Sequence, residues 1–121
     1  MKMGKGVAAL IIVVIILAIG FVWRFSAPSS PGVYDTFAQC LTEKGVKMYG
    51  AFWCSHCDNQ KRLFGSGWNN VEYIECSTPD GTGQTPLCTA AGIDGYPTWE
   101  FAGGKRVSGE MSLADLSTQS G

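Results

Sequence analysis

Apolar residues fill the start of the chain without a break: GVAALIIVVIILAIGFVW, from Gly6 to Trp23, holds no charge over eighteen residues. At about 1.5 Å per residue, a helix of that length covers roughly 27 Å, near the ~30 Å hydrocarbon thickness of a bilayer. After it come short periodic segments. Asp35 to Lys44 sets Phe37, Cys40 and Leu41 at i, i+3 and i+4, which predicts a helix with one buried stripe, Cys40 included, stopped by Gly45; as the odd cysteine of five, Cys40 has a resolving or intermolecular thiol as its other reading. Val46 to Trp53 (VKMYGAFW) is apolar and aromatic and reads as a central strand. From Cys54 the chain turns polar (CSHCDNQKRLF) with Cys57 and Phe64 one face apart, predicting a second helix that ends at Gly65. Val71 to Glu75 alternates as a strand does, and Ser77 to Gln84 is a turn-rich loop. Thr85 to Ala91 forms a short helix ending at Gly92. Thr98–Ala102 and Lys105–Ser108 flank Gly103-Gly104 as a hairpin. Ser112, with Asp115 three residues on, has the spacing of a capped final helix.

The order is therefore helix, strand, helix, strand, helix, strand, strand, helix. Two strands joined by a helix should run parallel through a right-handed crossover, and the hairpin adds an antiparallel pair. An α/β domain follows, with a four-stranded mixed sheet flanked by helices. The chain divides into an apolar leader (1–25), a Pro- and Ser-rich linker (26–32, SAPSSPG) and a domain (33–121).

Charge sharpens that division. The 121 residues carry nine Lys and Arg against ten Asp and Glu, and the first 31 hold three of the basic residues with no acidic one. A near-neutral chain with no basic patch argues against a nucleic-acid partner. Lys2 and Lys5 precede the apolar run, so the positive-inside rule keeps that end in the cytoplasm and puts the domain on the far side of the membrane; Arg24 reduces the bias. A single transmembrane helix is the first reading. A cleaved signal is the rival, with Phe25-Ser26-Ala27 as its exit, although signal cores are usually about 7–15 residues and Pro28 follows the cut. Both readings deliver the domain to a compartment where disulfides persist.

The chemistry centres on Trp53-Cys54-Ser55-His56-Cys57. Two cysteines three apart, where a strand becomes a helix, put the first sulfur at the helix N-terminus and the second one turn inward. Unpaired N–H groups and the partial positive charge there favour a thiolate. His56, the only histidine, adds a donor or a positive charge near Cys54; the bland reading is a solvated side chain. A stabilised thiolate makes the disulfide a better oxidant. Zinc is the competing use of such a pair, but a structural site normally adds a second close pair, and Cys76 and Cys88 stand too far apart to supply one. Haem attachment needs His where Asp58 stands.

WCSHC after an apolar strand, followed downstream by Gly92-Ile93-Asp94-Gly95-Tyr96-Pro97-Thr98, resembles the thioredoxin superfamily. More closely, YGAFWCSHCDNQK with VEYIECS and GIDGYPTWEF is similar to the thioredoxin-like domain fused to, or beside, bacterial homologues of vitamin K epoxide reductase. The resemblance spans roughly Phe37 to Leu116. It implies a thioredoxin-like fold and a cis peptide before Pro97 facing the active disulfide; Trp53 and Tyr96, beside the paired sulfurs, are the candidate substrate contacts, with Tyr96 and Pro97 expected to hold the substrate backbone. It also implies a membrane quinone reductase of the vitamin K epoxide reductase type as regenerating partner. Such domains often carry an extra cysteine pair near Cys76 and Cys88. A structural disulfide there would contribute roughly 3 kcal/mol; a second redox pair and free thiols are the other readings. Three departures stand out: Ser55 replaces a frequent Pro, Met48 occupies the position of a buried acid in thioredoxins, and no four-helix reductase domain is present.

The expected activity is a membrane-anchored thiol–disulfide oxidoreductase, a dithiol oxidase of cysteine-containing exported proteins. Cys54 would form the mixed disulfide, Cys57 resolve it and His56 tune Cys54. No metal or organic cofactor is required, because the Cys54–Cys57 disulfide itself carries two electrons. A reductase or isomerase of the same fold, and a non-catalytic module that binds a membrane partner or a metal, are the alternatives.

Overall fold

The computed structural model describes Lys2, residues 4–25 and residues 32–121. The linker at 26–32 therefore lies outside the described residues except for Gly32, as does most of the candidate signal exit at 25–27. Two compact units are present, residues 1–30 and 31–121.

The first unit is one helix, α1 (Lys5–Phe25). Residues Lys5–Arg24 are long and apolar enough to cross a membrane, a property that an anchor and a signal sequence share. Leu10, Ile12, Ile16 and Leu17 all stand exposed, which costs free energy in water and none in a lipid environment.

The second unit is an α/β domain with a thioredoxin-like arrangement. Its elements are α2 (Asp35–Glu43), β1 (Lys47–Gly50), α3 (Ser55–Phe64), β2 (Glu72–Glu75), α4 (Pro86–Ala90), β3 (Thr98–Glu100), β4 (Arg106–Ser108) and α5 (Leu113–Ser120), with a 3-10 turn at Gly65–Asn70 after α3 and another at Ala102–Gly104 inside the hairpin. The sheet order is β2-β1-β3-β4. β1 runs parallel to β2, with Met48 opposite Tyr73, and antiparallel to β3, with Met48 opposite Trp99. β4 closes the hairpin antiparallel to β3.

Alternation along β1 buries both faces of the sheet. Met48 points into the larger core with Ala38, Leu41, Phe64, Trp99 and Leu116, contributed by α2, α3, β3 and α5. Tyr49 points the other way, towards Cys76, Cys88 and Ile93 around α4. Phe64 anchors the larger core, stacking on Phe37 at 6.0 Å and meeting Trp68 edge-on at 5.8 Å. Gln60 is fully buried there yet satisfied: its Nε2 donates to Met111 O at 2.9 Å, and its Oε1 accepts from Met111 N at 2.7 Å. That clamp ties α3 to the segment before α5. The final helix begins as its sequence predicts, with Ser112 Oγ accepting from Asp115 N at 3.0 Å.

Two expectations need correction. Cys40 is exposed, whereas Ala38 and Leu41 are the buried residues of α2. With 3.6 residues per turn, the stripe shared by Phe37, Ala38 and Leu41 is centred about 100° away from Cys40. The second concerns β1, which ends at Gly50 rather than running to Trp53. Beyond it the chain turns so that Phe52 and Trp53 are 52% and 57% exposed.

Candidate functional site

The turn after β1 builds the site. Ala51 O accepts from Cys54 N at 3.0 Å, closing the turn, and Cys54 caps α3 in an extended conformation. Its sulfur accepts from Cys57 N at 3.2 Å, the bond a Ser or Asp oxygen makes at an ordinary helix N-cap. The Cys54 sulfur thus occupies the positive end of α3. Cys57, one turn on, is fully buried, and Cys54 is 6% exposed. An incoming sulfur therefore meets Cys54 first.

The segment before β3 faces it. Tyr96-Pro97 is a cis peptide, and the Cys54 thiol donates to Tyr96 O at 3.7 Å. Trp53 meets Tyr96 edge-on, ring centroids 5.9 Å apart. Together these residues bound a groove of about 410 Å³, lined by Trp53, Cys54, Ser55 and His56 on one side and by Asp94, Gly95 and Tyr96 on the other. Pro97 is fully buried behind that lining.

His56 lines the groove, but its ring is held from outside it. Nδ1 lies 2.6 Å from Glu110 Oε1, with the imidazole side chain 70% exposed. Among the described residues no hydrogen bond joins the ring to Cys54. Glu110 also accepts from Asn59 Nδ2 at 3.2 Å. The bond to His56, then that to Asn59, holds the Glu110 carboxyl below its usual range.

Behind the groove the environment is different. Burial pushes the Cys57 thiol up to about 12; hydrogen bonding with the Cys54 side chain adds to the rise, while a backbone bond at Ala51 and the Lys61 charge oppose it. Tyr73 crosses the same space. A Cβ on Gly50 would stand 2.8 Å from Tyr73 Cε2 and 3.0 Å from Cys57 Sγ, so only glycine lets the ring and the sulfur pack together there. Tyr73 Oη donates to Glu75 Oε2 at 2.8 Å; burial first, then that bond, raises the phenol above its ordinary value. Glu75 Oε1 also accepts the N–H groups of Phe52 at 3.1 Å and Ser77 at 2.9 Å, tying the turn before Cys54 to the end of β2.

The structure thus gathers Trp53, Cys54, His56 and Tyr96 around one groove, with Cys57 and Pro97 directly beneath. Cys76 and Cys88 are bonded to each other and fully buried on the opposite face of the sheet, Cα atoms 5.5 Å apart. Sequence reasoning missed Ser55, Asp94 and Gly95 in the lining and Glu110 as the partner of His56. The first three sit beside recognised residues; no local signal marks Glu110, which is 54 positions from His56. Among the described residues, no group of three or more His, Cys, Asp or Glu side chains is placed to hold a metal ion.

No family model matches the chain. Over 103 residues it is 43% identical to the thiol-disulfide oxidoreductase LTO1 of Arabidopsis thaliana; the match covers 81% of this chain. It covers 27% of that relative, so the chain spans about a quarter of the protein it matches. The name of that relative assigns it exchange between thiols and disulfides, and the matched chain here carries two sulfurs, Cys54 and Cys57, at the start of α3.

Proposed function

We propose that the chain is a membrane-anchored thiol–disulfide oxidoreductase, acting outside the cytoplasmic membrane as a dithiol oxidase of exported proteins. The observation that carries this reading is the asymmetry of its two sulfurs: Cys54 caps α3 at the groove, and Cys57 is sealed one turn behind it. In the oxidised form a substrate thiolate attacks Cys54 Sγ, the Cys54–Cys57 bond breaks, and Cys57 leaves as a thiolate that takes up a proton. The second substrate thiolate then attacks the substrate sulfur of the mixed disulfide. A substrate disulfide departs, and two electrons remain on the Cys54–Cys57 pair. No metal or organic cofactor enters the cycle.

In this reading Trp53 and Tyr96 border the substrate at the groove, and Pro97 fixes the backbone behind Tyr96. His56, oriented by Glu110, adds a charge or a donor beside the helix N-terminus. The α1 helix serves as anchor, with Lys2 and Lys5 holding its start in the cytoplasm. A quinone reductase of the vitamin K epoxide reductase type removes the electrons; the sequence resemblance is what supports that partner.

Cys57→Ala tests the reading, since it leaves the attacking sulfur without its resolving partner. The variant is expected to accumulate mixed disulfides with exported cysteine proteins, visible as adducts released by reductant, and Cys54→Ser is expected to form none. Adduct formation by Cys54→Ser overturns the assignment. Direction is read from the reduction potential of Cys54–Cys57: a value near about −120 mV is that of an oxidase, and one near about −270 mV that of a reductase.

A further inference from the structure

The loop between β2 and α4 has no part in the exchange just described, yet it reaches both aromatic walls of the groove. Its base is closed by the Cys76–Cys88 bridge. Immediately inside, Ser77 and Gln84 pair as a single antiparallel bridge. Each sends its side chain to one wall. Ser77 Oγ, on a residue only 5% exposed, accepts the Trp53 indole N–H at 2.9 Å while its own proton goes to Thr78 O at 3.0 Å. Gln84 Nε2 donates to Tyr96 Oη at 2.7 Å and to Ile93 O at 2.8 Å, and Gln84 Oε1 accepts from Thr89 at 3.0 Å. Every side-chain polar atom of Ser77 and Gln84 is hydrogen-bonded.

The two walls need such a hold. The Trp53 ring stands more than half exposed, away from the core, so core packing does not choose its rotamer. It meets the edge of Tyr96 and donates to Ser77, with Gly81 of the same loop close to the indole, and Tyr96 is in turn held at its hydroxyl by Gln84. An aromatic wall already fixed before binding spares the cost of ordering it on association. A small dithiol needs no wall at all.

We propose that Ser77 and Gln84 are positioning residues for substrate capture. From one rung of a disulfide-closed loop they hold Trp53 and Tyr96 beside Cys54, so that a cysteine-bearing polypeptide meets a preformed groove. The inference rests on the exchange activity proposed above.

The test uses the full-length chain in detergent micelles with Cys54–Cys57 oxidised. Its single-turnover reduction is followed against the concentration of a two-cysteine peptide with apolar flanks, and separately against dithiothreitol. Ser77→Ala and Gln84→Ala should each raise the half-saturating peptide concentration about fivefold, the loss expected for one hydrogen bond. The limiting rate, the rate with dithiothreitol and the reduction potential should stay at wild-type values, and Ser77→Thr, which keeps the hydroxyl, should restore the peptide dependence. An unchanged half-saturating concentration in both alanine variants overturns the proposal, as does an equal loss with dithiothreitol, which would place the damage at the sulfurs. Failure of the wild-type disulfide to accept electrons from either reductant would instead overturn the exchange activity itself.

Discussion

Raising the pH above about 9 should cost the reduced protein stability in a way that a Cys57→Ser variant escapes, because only the wild type carries the buried thiol. Cys57 is fully buried, and burial, reinforced by Cys54, pushes its ionisation up to about 12 from an ordinary 9.0. In the unfolded chain the same thiol ionises near its ordinary value. Between about 9 and about 12 the folded reduced protein therefore keeps a proton that the unfolded chain has released. Where the folded state binds more protons, stability falls as pH rises, at about 1.4 kcal/mol per pH unit for one group. The contribution is thus complete below about 9 and is lost progressively towards 12. The serine variant retains every other titratable group, so the tyrosine and lysine ionisations cancel in the comparison. Urea unfolding of both reduced proteins at about pH 8, 9, 10 and 11 measures the difference. The expected result is no pH dependence in that difference below about 9 and a fall of about 1.4 kcal/mol per unit above it. A flat difference across the whole range would mean that Cys57 ionises like an exposed thiol, and the division of labour between the two sulfurs would go with it.

Two further outcomes follow from packing. Replacing Cys76 and Cys88 together by Ser should lower the unfolding free energy by roughly 3 kcal/mol, the chain-entropy value for a loop of this size, measured by urea denaturation; a loss well under 1 kcal/mol would mean that the loop is held by its hydrogen bonds alone. Gly50→Ala should destabilise the domain by about 1–3 kcal/mol, because the new methyl would meet both Tyr73 Cε2 at 2.8 Å and Cys57 Sγ at 3.0 Å. A thermal midpoint equal to the wild type's would show that the Tyr73 ring yields without cost.

Much of the site was legible because its signals are local. A Cys at the junction of an apolar segment and a polar amphipathic one can only cap the helix, and its partner three residues on must then turn inward; Cys54 and Cys57 do both. The helix stops at Gly45 and Gly65 and the cap at Ser112 rest on the same short-range logic. The misreadings came where side chains answer to distant neighbours. Cys40 has an acceptable spacing from Phe37, but packing selected Ala38 and so rotated the buried stripe away from it. Ser77 and Gln84 sit in a stretch of Thr, Gly and Asp that composition marks only as turn, while their partners lie 24 and 12 positions away.

Phe52 and Trp53 carry the most instructive error. Their apolarity extends the strand pattern of VKMYG, and the sequence alone offers no reason to stop at Gly50. What stops the strand is a carboxylate: Glu75, at the end of β2, accepts the Phe52 N–H and draws the chain out of the ladder. The two aromatics are then released from the core and stand at the surface, where Trp53 walls the groove. Burial of such rings would contribute to stability, so leaving them exposed is a cost that the fold bears beside Cys54 and Cys57. Apolarity at this junction therefore extends the strand too far: it places both rings in the domain interior, whereas Trp53 stands on the groove that holds Cys54.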